Sequence, residues 1–173
     1  MVAMDLLGYG LSAKPFPHRY QLTEQATLLE GLMKQLGISS CVVLAHDYGN
    51  SVAQELLARQ EAGALTFNIE KLCFLNGGLF SETHRPVLTQ KLLKGPFGSL
   101  FARLLSKTSL KRNFTKIFGP QTPPSESEIE VLWSLLEREN GSRIMPSMLK
   151  YIDERAVHRD RWVAAMQSTT TPL

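Results

Sequence analysis

The chain has 173 residues, 43% of them hydrophobic and 20% charged, and a formal net charge of +3 at pH 7. That composition is ordinary for a folded globular domain, and so small a charge excess argues against a nucleic-acid partner. No run approaches the ~20 apolar residues that span a bilayer, and MVAMDLLGYG lacks the basic start and long apolar stretch of a signal peptide, which points to an intracellular protein.

An apolar segment opens the chain and ends in Asp5-Leu6-Leu7-Gly8-Tyr9-Gly10-Leu11-Ser12, followed by Lys14-Pro15, a spacing of D-x-x-G-x-G-x-S-x-x-P. A nucleotide-binding glycine loop would need a third glycine at Ala13 and a helix opening at once; Pro15 and Pro17 intervene, so that reading is rejected. From Thr23 to Leu36, Ala26, Leu29, Leu32, Met33 and Leu36 fall at helical intervals. This predicts a helix with Thr23 as N-cap and Gly37 where a C-cap belongs.

Cys41 to Ala45 is short, uninterrupted and rich in β-branched residues, as in a parallel strand buried on both faces. From Ser51, Val52, Ala53, Leu56 and Leu57 recur at helical spacing with Gln54, Glu55 and Arg59 between them, predicting a helix with one apolar and one wet face. Only His46-Asp47-Tyr48-Gly49-Asn50 joins strand to helix, so the chain must reverse sharply with Asp47 at the apex. In a nucleophile elbow, small residues two before and two after the apex allow strand and helix to approach; Ala45 and Gly49 hold those places. Read from these residues alone, Asp47 is first of all a helix cap, because aspartate is a favoured N-cap and suits the positive helix end.

Lys71 to Asn76 forms the next predicted strand. After Gly77-Gly78 the strand–helix alternation gives way to helices at Pro86 to Lys94, Phe97 to Ser106, Leu110 to Phe118, Ser125 to Glu139 and Pro146 to Gln167, divided by glycine and proline. Glu128 stands three after Ser125, as in a capping box. Cys41 and Cys73 lie in apolar strands and read as buried free thiols. The four histidines show no metal-ligand spacing, so no metal or other cofactor is expected.

In this order, the glycine motif, helix, strand and H-D-Y-G turn resemble the α/β-hydrolase superfamily, in its aspartate-nucleophile branch of epoxide hydrolases and haloalkane dehalogenases. HDYGNSVAQELLAR, LCFLNGGLFSETHRP and FGPQTPPSESEIEVLW look most like a vertebrate member of that branch, and the likeness covers nearly the whole chain. The resemblance implies that Asp47 is the nucleophile. A carboxylate with an ordinary pKa of about 3.9 is ionised at neutral pH, and needs no base before it attacks a saturated carbon. The resulting ester is cleaved in the family by water, with a histidine as base and backbone N–H groups on the oxyanion; the Tyr48 amide would be one of these. Tyr48 replaces the tryptophan that helps to hold halide in dehalogenases, and Asn76 stands where one dehalogenase subgroup keeps a carboxylate. Both argue against haloalkane dehalogenation, and Asn76 implies that the catalytic acid lies elsewhere; the resemblance then implies an epoxide or similar small apolar electrophile, or a lipid-like ligand. Lid tyrosines of epoxide hydrolases donate to the epoxide oxygen, a role that falls to Tyr151 unless it is simply a packed core tyrosine. His46 points away from the nucleophile by strand alternation.

The resemblance further implies a partial α/β-hydrolase core over 1–78, with equivalents of the fourth, fifth and sixth family strands, a helical lid over 79–167, and a return to the core at 168–173. The oxyanion loop HG-x-P would precede residue 1, and the catalytic acid and base would follow residue 173. The expectation is therefore a fragment or short isoform, inactive alone, of a lidded hydrolase; the alternative is a noncatalytic binding or regulatory protein that retains the remnant. Arg103, Lys107, Lys111, Arg112 and Lys116, interleaved with leucine and phenylalanine over 103–118, are either the solvated face of a lid or a membrane-surface contact. For a longer form the resemblance suggests the endoplasmic reticulum membrane.

Overall fold

The computed structural model describes residues 1–173, which fall into two compact units: Tyr20–Arg85 with Lys150–Leu173, and Met1–Arg19 with Pro86–Leu149. The first unit contains α1 (Leu22–Gln35), β1 (Ser40–His46), α2 (Tyr48–Glu61) and β2 (Asn68–Leu75). β1 and β2 form a two-stranded parallel sheet, in register from Ser40 opposite Asn68 to His46 opposite Leu75, with a shift between Cys41 and Val42. Parallel neighbours need a crossover, which α2 supplies; it packs on both strands and receives α1 on another side.

The core of this unit is Leu56, Leu57, Ile69 and Leu72, with Tyr20 and Leu22 from the chain that enters α1. β1 is not buried on both faces, as its apolar run suggested. Exposure alternates along it, and Val42 and Leu44 are 62% and 70% exposed. Helices cover one side of the two-stranded sheet only, so every second apolar side chain of β1 meets water. For the same reason the cysteines are free but not buried: Cys41 is half-buried and Cys73 exposed.

α2 departs from expectation in the other direction, since its wet face is dry. Every residue from Tyr48 to Ala58 except the half-buried Gly49 is buried, Gln54 and Glu55 included. The cover is the last helix of the chain, named α8 below, which packs on α2. Glu55 accepts from Arg59 Nε at 3.0 Å and from Trp162 Nε1 at 2.8 Å, and pairs with Arg161. Gln54 donates to the Leu79 carbonyl at 3.0 Å. Thr23 does not cap α1, which starts one residue earlier after Gln21 and has no side-chain cap of its own. Instead the carboxylate of Glu154 accepts from the Leu22 amide at 2.8 Å, meeting one of the open donors of a helix start.

The second unit contains α3 (Leu88–Lys94), α4 (Gly98–Arg103), α5 (Lys107–Ile117), α6 (Glu126–Glu137) and the short α7 (Met145–Met148). The expected Ser125 capping box is present: the Glu128 amide donates to Ser125 Oγ at 3.2 Å, and Glu128 accepts from the Ser125 amide at 2.7 Å. Ser106 caps α5 in the same manner through Ser109, so that helix begins three residues before the expected Leu110. The predicted single helix from Pro146 to Gln167 is divided into α7 and, in the first unit, α8 (Tyr151–Ser168), which follows α7 after a two-residue break. The apolar opening segment, where the resemblance implies the fourth-strand equivalent, forms no strand. A strand needs a ladder partner, and the sheet consists of β1 and β2 alone.

Candidate active site

Asp47 sits at φ 46°, ψ −110° between β1 and α2, a region that a side chain occupies only at a cost of about 1–3 kcal/mol and only where the surroundings over-determine it. Those surroundings are identifiable. The Asp47 amide donates to the Leu75 carbonyl at the end of β2 at 3.3 Å, and its carbonyl accepts from the Asn50 amide at 3.1 Å. The buried Asn50 ties the same point from its side chain, with Nδ2 on the Leu75 carbonyl at 3.1 Å. The aspartate occupies the N-cap position of α2 yet makes no side-chain cap bond. Its side chain is exposed at the N-terminal end of a 14-residue helix.

Three further side chains converge here from the same unit. Tyr48 opens α2 with its ring buried edge-on against Tyr151, centroids 5.2 Å apart at 73°. Burial first, and the Glu154 charge second, push its phenol well above the usual tyrosine range, and a hydrogen bond to Gln25 pulls the other way. Tyr151, half-buried at the start of α8, is also raised, by burial and by the negative charge of Asp47, against the opposing pull of Arg155. Arg155, one turn along α8, is 5% exposed. Its guanidinium stacks over the Tyr151 ring at 4.6 Å, and donates to Ser51 Oγ at 2.6 Å and to the Asp47 carbonyl at 3.4 Å.

Arg155, Ser51 and Asn50 were not among the sequence-derived site residues. An arginine on the wet side of a late helix carries no local mark of burial; its partners lie 104 and 108 residues away. Gly77 was missed as well. A Cβ there would lie 2.4 Å from Asn50 Nδ2, 2.8 Å from Asp47 Cα and 2.9 Å from its carbonyl oxygen, so the backbone after β2 touches the elbow directly. Gly49, expected to be the small residue that the turn needs, has open space where a Cβ would go. Asn76 is not the last residue of its strand but follows β2 at φ 33°. His46 is exposed, and His158 stacks on Trp162 with centroids 5.2 Å apart. No group of histidine, cysteine or acidic residues is arranged to hold a metal ion.

The glycine motif near the N-terminus belongs to the other unit and builds a self-contained turn. Asp5 accepts from the Leu11 amide at 2.9 Å, and Ser12 Oγ donates to the Asp5 carbonyl at 2.5 Å. Gly10, at φ 46°, leaves no room for a Cβ, which would lie 2.2 Å from the Asp5 carboxylate. The buried Lys14 closes the turn by donating to the carbonyls of Gly10 at 2.7 Å and Ser12 at 3.3 Å. Burial first, and then the Arg138 charge, lower its pKa.

No protein-family model matches the chain. Over its whole length it is 44% identical to the mesoderm-specific transcript homolog protein of Bos taurus, covering 53% of that protein. It is 43% identical to the putative hydrolase LipZ of Mycobacterium tuberculosis, with 99% of this chain and 60% of the relative aligned. The solved structure of the epoxide hydrolase CorEH superposes with a TM-score of 0.67 over 96% of this chain and 60% of that one, at 21% identity. The chain thus spans about half the length of the curated relatives that it matches. In sequence the chain is similar over its whole length to the mesoderm-specific transcript proteins, and in structure it carries part of the α/β-hydrolase fold.

Proposed function

We propose that this chain supplies the nucleophile of a lidded hydrolase that opens an epoxide or similar small apolar electrophile through an aspartyl ester. The observation that carries this reading is the exposed carboxylate of Asp47 on a strained backbone at the end of β1, held by Leu75, Asn50 and Arg155. Strain that surroundings over-determine is a mark of functional positions.

In the proposed reaction a carboxylate oxygen of Asp47 bonds to one carbon of the three-membered ring. The carbon–oxygen bond breaks, and the ring oxygen takes the proton of the Tyr151 hydroxyl, which solvent then restores. Water then attacks the ester carbonyl, and the Tyr48 amide helps to hold the oxyanion. This last step needs a base. His46 and His158, the two histidines nearest in sequence to Asp47 and Tyr151, are respectively exposed beside the elbow and stacked on Trp162, so the 173-residue chain is expected to stop at the ester. Halide displacement is a poorer fit, since the Tyr48 ring is packed against Tyr151 and has no indole N–H.

The test is intact-mass measurement of the chain after exposure to styrene oxide, with peptide mapping to separate ester on Asp47 from alkylation of the exposed Cys73. The expected result is a single adduct on the peptide that contains Asp47, cleaved by mild base and lost in Asp47→Asn. Equal labelling of that peptide in the mutant would overturn the nucleophile. Labelling of Cys73 alone would favour a noncatalytic remnant, and repeated turnover would overturn the expected arrest.

A further inference from the structure

From Pro86 to Ser125 the chain carries seven lysines and arginines and no aspartate or glutamate, although the whole protein has an excess of only +3. The same stretch exposes large apolar side chains. On α3, Leu88 is 70% and Leu92 37% exposed, with the exposed Lys91 between them on the same face at i+3 and i+4. On α4 the arrangement recurs: Leu100 is 56% and Leu104, just past its end, 68% exposed, flanking Arg103. α5 ends in Lys116 and Ile117, the latter 75% exposed. α3 and α4 pack against one another, and all of these residues belong to one compact unit.

We propose that this acid-free stretch is a docking surface for an anionic lipid bilayer. Its distinguishing feature is the coupling of an exposed cation to an exposed aliphatic neighbour in Lys91-Leu92, Arg103-Leu104 and Lys116-Ile117. Such pairs fit a membrane interface, where the aliphatic group enters the acyl boundary and the long basic side chain reaches up to the headgroup phosphates. A polyphosphate or nucleic-acid partner would use the charges and leave the leucines and isoleucine in water. Lys107 and Lys111 are already paired with Glu130 and Glu126 of α6, so they support the helix pair. Arg103, Arg112 and Lys116 have no ion-pair partner and carry the proposed attraction. No helix is long and apolar enough to cross a membrane, so the contact lies on the surface. This inference does not depend on the chemistry of Asp47.

The experiment is vesicle flotation of the 173-residue chain with phosphatidylcholine alone and with added phosphatidylserine, at low and high salt. Binding is expected only with phosphatidylserine and is expected to weaken with salt. Each of Arg103→Gln, Arg112→Gln and Lys116→Gln should lower partitioning about fivefold, whereas Lys34→Gln on α1 should not. Leu104→Ser and Ile117→Ser should weaken binding with the charge unchanged; circular dichroism checks that these exposed substitutions leave the fold intact. The proposal fails if phosphatidylserine vesicles do not bind. It fails equally if the basic variants bind undiminished, as when the face is occupied by a second copy. It fails, too, if charge matters but Leu104 and Ile117 do not, which would indicate a soluble polyanion.

Discussion

The Nε of Arg155 donates to Oγ of Ser51 across 2.6 Å, a buried hydrogen bond between residues 104 apart in sequence. Ser51 lies four residues after Asp47, in the first turn of α2, and the same guanidinium reaches the Asp47 carbonyl. A planar fork can hold two acceptors in fixed geometry, which an ammonium cannot. Arg155 therefore fastens the start of α2 to α8 and fixes the backbone conformation that presents Asp47.

Arg155→Gln is expected to destabilise the chain by ~2–4 kcal/mol, because it removes a buried cation, the donor to the Ser51 hydroxyl and one of the two donors to the Asp47 carbonyl. Arg155→Lys should recover part of the stability, but not the geometry at Asp47. Thermal unfolding reads the first effect. Labelling of Asp47 by an epoxide, compared at matched folded fractions, reads the second; equal labelling rates for arginine and lysine would show that Arg155 is structural only.

Glu55 controls the acid side of the stability profile. Burial pushes its carboxyl up, but hydrogen bonds from Trp162 and Arg59 and the Arg161 charge outweigh this and leave it below the usual value. Glu30 is likewise lowered, with burial overcome by the Thr66 amide and Arg59. A lowered folded-state pKa contributes stability above the unfolded value, near 4.3 for glutamate, that is lost as pH falls through the folded value. Glu154 is raised by burial and has the opposite sign, gaining stability as it protonates. The expected curve is flat through mild acid and falls steeply below about pH 4. Glu55→Gln should cost ~2–3 kcal/mol at neutral pH and make the acid limb shallower, as measured by urea unfolding across pH.

Gly10→Ala should unfold the N-terminal turn, because the new methyl group meets the Asp5 carboxylate and the residue is already at positive φ. A loss of about 2–3 kcal/mol is expected from overpacking and backbone strain together. Asp5→Ala, which removes the obstacle, should make the glycine substitution much less costly in the double mutant. Additive effects would show that the steric contact is not the cause.

Which of these features were legible in the sequence follows from how local their causes are. The elbow between β1 and α2, the capping box of Ser125 and the approximate positions of the helices rest on spacing within a few residues, and could be read directly. What could not be read depends on partners far along the chain. Gln54, Glu55 and Arg155 look like solvent-facing polar residues until α8 is placed on α2. Val42 and Leu44 look like core until the sheet proves to have two strands. Thr23 looked like a cap because the true acceptor, Glu154, lies 132 residues beyond the amide that it serves.

Gly49 and Gly77 make the sharpest contrast. Spacing pointed to Gly49 as the residue that must be small for the turn to form, but a Cβ there meets nothing within 4 Å. Since Gly49 sits in α2, Gly49→Ala is expected to stabilise the chain by up to about 1 kcal/mol through its helix propensity. Gly77→Ala should do the reverse. Its methyl would fall 2.8 Å from the Asp47 Cα and 2.9 Å from the Asp47 carbonyl oxygen, and neither backbone atom can move without dragging the strained residue out of its conformation. The expected cost is ~1–3 kcal/mol or somewhat more. The loss should fall on Asp47 reactivity more than on the fold, because Asn50 and Leu75 would shift with the elbow. Denaturant midpoints for the two variants, together with labelling of Asp47 in each, test this. A destabilised Gly49→Ala beside a tolerated Gly77→Ala would mean that strand and helix meet at Gly49 after all, as spacing alone suggested.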